Sequence, residues 1–169
     1  MSRVSRNDLS RDDAAAVLAY DADTGLFRWA DVAGNGKKAG REVGTVCSTG
    51  HVLIRLGSTV RLAHRLAWLL YHGVMPAKCL DHLNGIRHDN RIANLREVTP
   101  AGNAQNLREA HRDNQTGLLG VSYWAAHAAF RADIWVTGKS IYLGSFVTAE
   151  DAHAAYLTAK RTLHSGCTI

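Results

Sequence analysis

The fold is decided by residues 81–103, which read DHLNGIRHDNRIANLREVTPAGN. Asp81 and His82 are adjacent, so on a strand their side chains point to opposite sides. The stretch 84–90 is dense in turn-forming residues. Residues 95–98 have the pattern of a second short strand. The segment therefore predicts two strands joined by a loop.

A helix is predicted directly after the second strand. Thr99 is a candidate N-cap, and Pro100 suits the first helical position because its missing N–H is not needed there. Asn103 then lies at the end of the first turn. This order of elements brings together a histidine, a carboxylate and two amides, those of Asn94 and Asn103.

The segment strongly resembles the HNH nuclease motif in its ββα-metal fold. The resemblance is closest to phage and intron homing endonucleases, whose third motif position is Asn. It rests on four short matches in the family's order and spacing, which are Asp81-His82, DNRI at 89–92, NLR at 94–96 and Asn103 through Asn106. It extends upstream to residues 20–29 and 63–68, so about residues 14–107 are covered.

The resemblance implies a role for each matched residue. His82 matches the general base that takes a proton from water, and an ordinary histidine pKa of about 6.5 leaves it neutral at physiological pH. Asp81 and Asn103 match the two protein ligands of a single divalent metal. Asn94 matches the central Asn, which positions the His82 ring or braces the loop. Hard oxygen ligands favour Mg²⁺ or Mn²⁺, and the implied products are a 5′ phosphate and a 3′ hydroxyl.

Each of these residues also has an ordinary structural interpretation. Asp81 could be only a turn cap, and His82 a satisfied core histidine. His64 could pack in the core or contact phosphate. Arg65 and Arg91 could contact the scissile region or hold the fold through carboxylate pairs. The functional interpretation is favoured because the whole set occurs together, in the family's order.

The first 72 residues predict further elements before the motif. Ser10 as N-cap, with Ala14, Val17 and Leu18 at helical spacing, predicts a helix over 10–19. Residues 51–63 predict a hairpin around a Gly-Ser turn. A short helix is then expected from His64 to His72, ending at Gly73.

The C-terminal third carries a second pattern. Strand-like runs at 120–124, 130–136 and 140–146 precede a helix over 149–163, with Thr148 as N-cap. The stripe expected to face the sheet comprises Ala152, Ala155, Tyr156, Ala159 and Leu163.

This module resembles the DNA-binding domain of plant apetala-two/ethylene-response factors, on residues 120–121, 130–134, 142–146 and 148–152. In that fold a three-stranded antiparallel sheet enters the major groove, and one helix backs it. By register with that family Ser122, Trp124, Arg131, Trp135, Ser140 and Tyr142 face DNA, with Lys139 on phosphate.

The module also departs from the plant pattern, which has several Arg where Ser122, Trp124 and Tyr142 stand here. Base preference therefore does not carry over, and the aromatic side chains could instead pack internally. For the whole chain, the candidate DNA-binding residues are Arg65, Arg91, Asn106, Trp124, Arg131, Trp135, Lys139 and Tyr142.

The 169 residues carry a formal net charge of +5, and the basic excess is concentrated in one stretch. Residues 32–78 hold seven basic residues and one acidic residue. That distribution is typical of a polyanion-binding face, although a solvated basic surface would look the same. No apolar run approaches the ~20 residues that span a bilayer. Three widely spaced cysteines and no secretory signal pattern predict a reduced, cytoplasmic location, in a bacterium or a phage-infected host.

Together these patterns predict a two-domain α+β protein. Residues 1–110 form the ββα-metal nuclease domain with a β-rich N-terminal extension, 111–116 a linker, and 117–169 the DNA-binding domain. The expected function is metal-dependent hydrolysis of double-stranded DNA by a site-selective homing endonuclease or nickase. The protein is expected to be a monomer or a homodimer with no membrane partner. The alternatives are a non-catalytic DNA-binding regulator on a decayed nuclease scaffold, and an RNA-binding or structural phage protein.

Overall fold

The computed structural model describes residues 9–31, 36–107 and 109–164. Helices and strands are mixed along the chain, which is compatible with an α+β fold. Contacts within the chain divide it into two units, residues 1–100 and 101–169. No helix in the described ranges is long and apolar enough to cross a membrane.

The first unit is built from short antiparallel pairings. β1 pairs with β2, β4 lies between β3 and β5, and β6 pairs with β7. Its elements, in chain order, are α1 (Arg11–Ala15), β1 (Leu18–Tyr20), β2 (Phe27–Trp29), β3 (Thr45–Val46), β4 (Val52–Leu56), β5 (Thr59–Leu62), α2 (Ala63–His72), β6 (Cys79–His82) and β7 (Leu95–Val98).

The core of the first unit collects apolar side chains from these separate pairings. Phe27, Ile54, Leu66 and Leu95 are among its buried members, together with Leu18. Because no single sheet supplies this core, α2 and the strand pairs hold one another in place. The β6–β7 pair is fixed to the core through Leu95.

The helix expected over 10–19 is wrong in its second half. Ser10 does cap α1, accepting from the Asp13 N–H, but α1 ends at Ala15. Leu18 lies in β1 opposite Trp29 and is 2 % exposed. Leu18 is buried as the helical pattern suggested, but it belongs to a strand, because its pairing with β2 brings it to the core.

The hairpin and the helix that follow are confirmed. β4 and β5 pair around the Gly57-Ser58 turn. α2 ends at Gly73, whose φ of 82° is left-handed, and the Gly73 N–H donates to the carbonyl of Leu69. Glycine takes this conformation without a side-chain penalty, which explains the sharp end of the helix.

The second unit begins with α3 and continues into a sheet and a longer helix. Its strands are antiparallel in the order β10-β9-β8, and α4 contacts all three. The elements are α3 (Pro100–Gln105), β8 (Val121–Trp124), β9 (Ala129–Val136), β10 (Lys139–Phe146) and α4 (Ala149–Leu163). The expected helix start is confirmed, since the Thr148 hydroxyl accepts from the Asp151 N–H.

The stripe predicted for α4 needs one correction. Ala152 and Tyr156 are buried, but Leu163 is 41 % exposed. Lys160, one further turn along from Tyr156, is 1 % exposed, and its ammonium donates to the carbonyl of Leu107. Positions 152, 156 and 160 are spaced by four and share one helix face. Leu163 falls on the same face by its spacing, but it is the last residue of α4 and is exposed there. A lysine was not expected at position 160 because its charge must be paired when buried.

The domain boundaries expected from the sequence stay a prediction. Asn114 and Thr116, in the predicted linker, hydrogen-bond to the carbonyls of Leu118 and Val121. The segment 114–118 therefore forms a hydrogen-bonded turn at the start of β8.

Candidate active site and nucleic-acid interface

Asp81 and His82 lie at the end of β6, where the pairing with β7 fixes their register. Asp81 is opposite Arg96, and His82 is opposite Leu95. Because successive side chains of a strand alternate, the carboxylate and the imidazole point to different sides of this two-stranded sheet. His82 is 6 % exposed, and the Asp81 side chain 15 %.

The Asp81 carboxylate is held by Arg96. The Arg96 guanidinium donates to Oδ2 of Asp81 from Nη2 at 3.0 Å and from Nε at 3.2 Å. This charge-assisted pairing fixes the orientation of the carboxylate. The sequence interpretation had not assigned Arg96 to this site.

The loop after His82 is closed by the side chain of Asn94, which is 7 % exposed. Its Oδ1 accepts from the Asn84 N–H at 3.0 Å, and its Nδ2 donates to the Asp89 carbonyl at 2.8 Å. These bonds join both sides of the loop. Of the two roles left open for Asn94, they fit bracing the loop rather than orienting the His82 ring.

Asp89 forms a second brace inside the same loop. Arg91 pairs with it through two nitrogens, at 2.6 Å and 2.8 Å, and Asn84 Nδ2 donates to it at 2.6 Å. The Arg91 hydrogen bonds are the main cause that lowers the pKa of the Asp89 carboxyl to about 2. Of the two roles left open for Arg91, this arrangement fits a carboxylate pair that holds the fold.

The turn between β1 and β2 is packed against the loop. The Tyr20 hydroxyl donates to the Asn90 carbonyl at 2.8 Å, and the Ile92 N–H donates to the Ala22 carbonyl at 3.1 Å. Gly25, with φ of 74°, lies so close that an added Cβ would be 2.5 Å from the Arg91 nitrogen. The N-terminal hairpin therefore supports the loop from outside, and burial raises the pKa of the Tyr20 hydroxyl.

Three histidines meet beside the end of β6. The rings of His64 and His82 lie edge to face with centroids 5.2 Å apart, and His51 lies 5.4 Å from His64 and 6.0 Å from His82. One ring nitrogen from each lies within 4.8 Å of the others. Burial lowers the pKa of all three, that of His64 to about 3, so the cluster is neutral at pH 7.

This cluster decides between the two interpretations of His64 and adds His51 to the site. His64, on α2, is 6 % exposed, so it packs in the interior against His82. His51 lies directly before β4, and the sequence predicts for it only the start of a hairpin. The spacing of these three histidines in the sequence matches no metal-binding motif. They come together only because separate strands and α2 pack against one another.

Four further residues in or near the nuclease segment are less constrained. Arg65 is half-buried on α2, and His88 is exposed, with its carbonyl accepting from Asn90 Nδ2. Asn103 is an exposed residue of α3 and Asn106 is half-buried, both in the second unit. The pairing of Asn103 with Asp81 as metal ligands stays a prediction.

The sheet of the second unit has one face away from α4. Phe130, Ala132 and Ile134 face the helix side, and the strand register carries the alternating residues to the opposite face. On that opposite face lie Ser122, Trp124, Arg131, Asp133, Trp135, Ser140 and Tyr142.

The face opposite α4 is aromatic and partly internally paired. Trp135 is 66 % exposed, Tyr142 51 % and Trp124 37 %, so these rings do not pack into the core. Arg131 bonds Asp133 through two nitrogens and lies 5.0 Å from the Tyr142 ring centroid. Lys139 is exposed where β10 begins.

A comparison with protein families decides the enzyme class. Residues 61–105 match the family described as HNH endonuclease. The chain carries an HNH endonuclease domain. DNA endonucleases are hydrolases. The residues that match the family include Asp81, His82, Asn94 and Asn103. No curated protein and no solved structure matches the chain.

Proposed function

We propose that the protein cleaves double-stranded DNA in a metal-dependent reaction, as a site-selective homing endonuclease or nickase of the phage type. The observation that carries this proposal is the Asp81-His82 pair at the end of β6, beside the loop braced by Asn94, inside the HNH segment. The products are a 5′ phosphate and a 3′ hydroxyl.

His82 is the general base of this proposal. Burial is the main cause that lowers the pKa of its imidazole, with His51 adding to the effect, while Asn90, Asp81 and Asp89 oppose it. The ring is therefore neutral at physiological pH and can accept a proton from the attacking water. A base must be unprotonated before the reaction, and this environment favours that form.

Asp81 and Asn103 are the residues that would hold the metal, supplying a carboxylate and an amide oxygen. These hard ligands suit Mg²⁺ or Mn²⁺, one in each active site. The donor type of Asp81 fits, because its carboxylate is preoriented by Arg96 and its side chain is not fully enclosed. Such a cation would stabilise negative charge that develops on the phosphate and on the leaving 3′ oxygen.

The second unit is proposed to contribute DNA binding through its sheet. Exposed aromatic rings on the face opposite α4 offer stacking and groove contacts, and Lys139 offers a phosphate contact. Because Arg131 is paired with Asp133, this face has little unpaired positive charge of its own. We expect its contribution to depend on shape and apolar contact more than on charge.

Two other functions would use the same scaffold without catalysis. A regulator on a decayed nuclease would bind DNA and cut nothing, and an RNA-binding protein would show no DNA preference. The presence of Asp81, His82, Asn94 and Asn103 argues against decay.

A plasmid-nicking assay with the purified full chain tests the proposal. We expect supercoiled DNA to be converted to nicked circles with Mg²⁺ and to stay intact with EDTA. The nicked ends should be ligatable, as a 5′ phosphate and a 3′ hydroxyl require. DNA binding without cleavage under Mg²⁺ or Mn²⁺ would favour the regulator, and competition between DNA and RNA separates the third function.

One active site in each chain sets the stoichiometry of cutting. A monomer would nick one strand, and a dimer would be needed to cut both. Run-off mapping of the cut on each strand, together with the mass of the protein in solution, distinguishes these.

A further inference from the structure

The three histidines beside β6 are more than packing partners. His64 and His82 are each 6 % exposed, and no described residue hydrogen-bonds to Nδ1 of His64 or to Nε2 of His82. A buried polar atom without a partner costs about 1–3 kcal/mol. Two such nitrogens in one cluster indicate a ligand that would satisfy both.

The third member is oriented by a hydrogen bond outside the cluster. Nδ1 of His51 lies 3.0 Å from the Thr49 hydroxyl, which fixes the ring. The same arrangement, a second ring nitrogen held by a polar neighbour, orients histidine ligands in metal sites. Asn90 lies near His82 and favours the protonated form of its ring.

The geometry suits a small cation. The three ligand nitrogens lie within 4.8 Å of one another. Zn–N bonds of 2.0–2.1 Å in a tetrahedral site place neighbouring nitrogens about 3.4 Å apart, so each would move inward by at most about 0.8 Å. Ring rotation supplies movements of that size, and three protein ligands leave a fourth position open.

The chemistry of the donors selects the kind of cation. Neutral imidazole suits zinc, copper and nickel, whereas magnesium prefers oxygen. The cluster is therefore different in kind from the carboxylate and amide pair proposed for Mg²⁺. The two proposed sites are next to each other in the chain because Asp81 and His82 are adjacent on β6, although their side chains point to different sides of the sheet.

We propose that His51, His64 and His82 form a binding site for one Zn²⁺ ion, and that zinc bound there inhibits the nuclease. Inhibition follows because a metal-bound imidazole nitrogen cannot accept a proton from water. This second half rests on the proposed role of His82 as general base. The zinc site itself does not depend on that role.

Metal binding is tested first, on the full chain after removal of metals and without DNA. Titration with Zn²⁺ by calorimetry should show one ion bound in each chain, and Co²⁺ should give the visible absorption bands of a tetrahedral site. His51→Ala and His64→Ala should each weaken Zn²⁺ binding at least about tenfold. The matched control His88→Ala, an exposed histidine of the neighbouring loop, should bind as the wild type does.

Two results would overturn the site. One is wild-type protein that binds no zinc, and the other is His51→Ala binding it as tightly as wild type. His51 is only half-buried, so this variant keeps the test decisive if His64→Ala fails to fold. Circular dichroism checks the fold of each variant.

Inhibition is tested second, by adding Zn²⁺ to nicking reactions that contain excess Mg²⁺. We expect nicking to be half-inhibited at the Zn²⁺ concentration that gives half-maximal binding. The nicking activity that His51→Ala retains should be insensitive to the same Zn²⁺ concentration. Stoichiometric zinc binding without inhibition would overturn the second half only. Absence of any nicking under Mg²⁺ would instead count against the proposed nuclease function, while the binding result stands.

Discussion

The Asp81 carboxylate is held by the Arg96 guanidinium and is the proposed ligand of a divalent cation. Arg96 donates to its Oδ2, which leaves the group oriented before a metal arrives. An orienting neighbour of this kind strengthens metal binding because less freedom is lost when the ion is bound. We therefore expect both the charge and the orientation of the Asp81 carboxylate to affect metal binding.

We predict that Asp81→Asn raises the Mg²⁺ concentration needed for half-maximal nicking by about tenfold or more. The reason is the loss of a charged oxygen ligand. Asn103→Ala should act in the same direction, and Asp23→Asn, at an exposed acid of the first unit, should change nothing. Normal cleavage by Asp81→Asn at limiting Mg²⁺ would contradict the ligand assignment.

A second prediction concerns the brace between Asp89 and Arg91. Their hydrogen bonds keep the pKa of Asp89 low, at about 2, so the carboxylate favours the folded state above its ordinary pKa. That contribution disappears as pH falls through about 2. Arg91→Gln should move the pKa of Asp89 upward, towards 3.8, as measured by NMR titration of the side-chain carboxyl. An unchanged pKa would mean that Arg91 does not pair with Asp89 in solution.

Some residues of the candidate site could be predicted from the sequence and others could not. Asp81, His82 and Asn94 are recognisable because they are close in the chain and follow a known order. His51 has no such signal, since it lies in another strand pair and only tertiary packing brings it to His82. Arg96 is similar, because its partner follows from the β6–β7 register. The sequence predicts local geometry well, and the contacts between distant segments poorly.

At the scale of elements, the β1–β2 hairpin acts as a support for the HNH loop. Its turn contacts the loop through Tyr20, Ala22 and Gly25. The Asp21 side chain closes this turn, because it accepts from the Asp23 and Thr24 N–H groups. The sequence did not predict β1, because the helical spacing of Val17 and Leu18 obscured a strand.

We predict that Gly25→Ala destabilises the first unit more than Gly57→Ala does. Both glycines have positive φ, so both substitutions carry a backbone strain of about 1 kcal/mol. Only at Gly25 would the new Cβ also collide, with backbone of Asn90 and Arg91, whereas Gly57 has open space. The collision should add about 1–3 kcal/mol.

Urea unfolding of both variants measures this difference. If the two variants unfold at the same denaturant concentration, the turn does not pack on the loop as described. A lower nicking rate in Gly25→Ala at temperatures where it stays folded would further indicate that the support positions the site.

In the whole chain, most of the excess basic residues lie outside the segment that carries the candidate catalytic residues. The +6 of residues 32–78 precedes a nearly neutral HNH segment, and residues 108–169 carry only +1. The exposed basic side chains of this stretch include those of Arg41, Arg55 and Lys78. Release of counterions from DNA makes binding steeply dependent on salt, in proportion to the phosphates contacted.

We therefore predict that Arg41→Gln, Arg55→Gln and Lys78→Gln together flatten the salt dependence of DNA binding. Each lost phosphate contact should reduce the slope of log K against log salt by about 0.9. Arg161→Gln, an exposed residue of α4 in the second unit, is the matched control and should leave the slope unchanged. Fluorescence anisotropy at several salt concentrations measures it, and an unchanged slope in the triple variant would place the phosphate contacts elsewhere.

The nicking rate of His82→Ala tests whether His82 takes the proton from water in the proposed metal-dependent reaction. It should be measured under saturating Mg²⁺ beside wild type and the neighbouring His88→Ala. General base catalysis contributes about 10²–10⁴-fold, so we predict a loss of at least that size with DNA binding retained and with His88→Ala near wild type. Nicking by His82→Ala at the wild-type rate would show that His82 is not the general base.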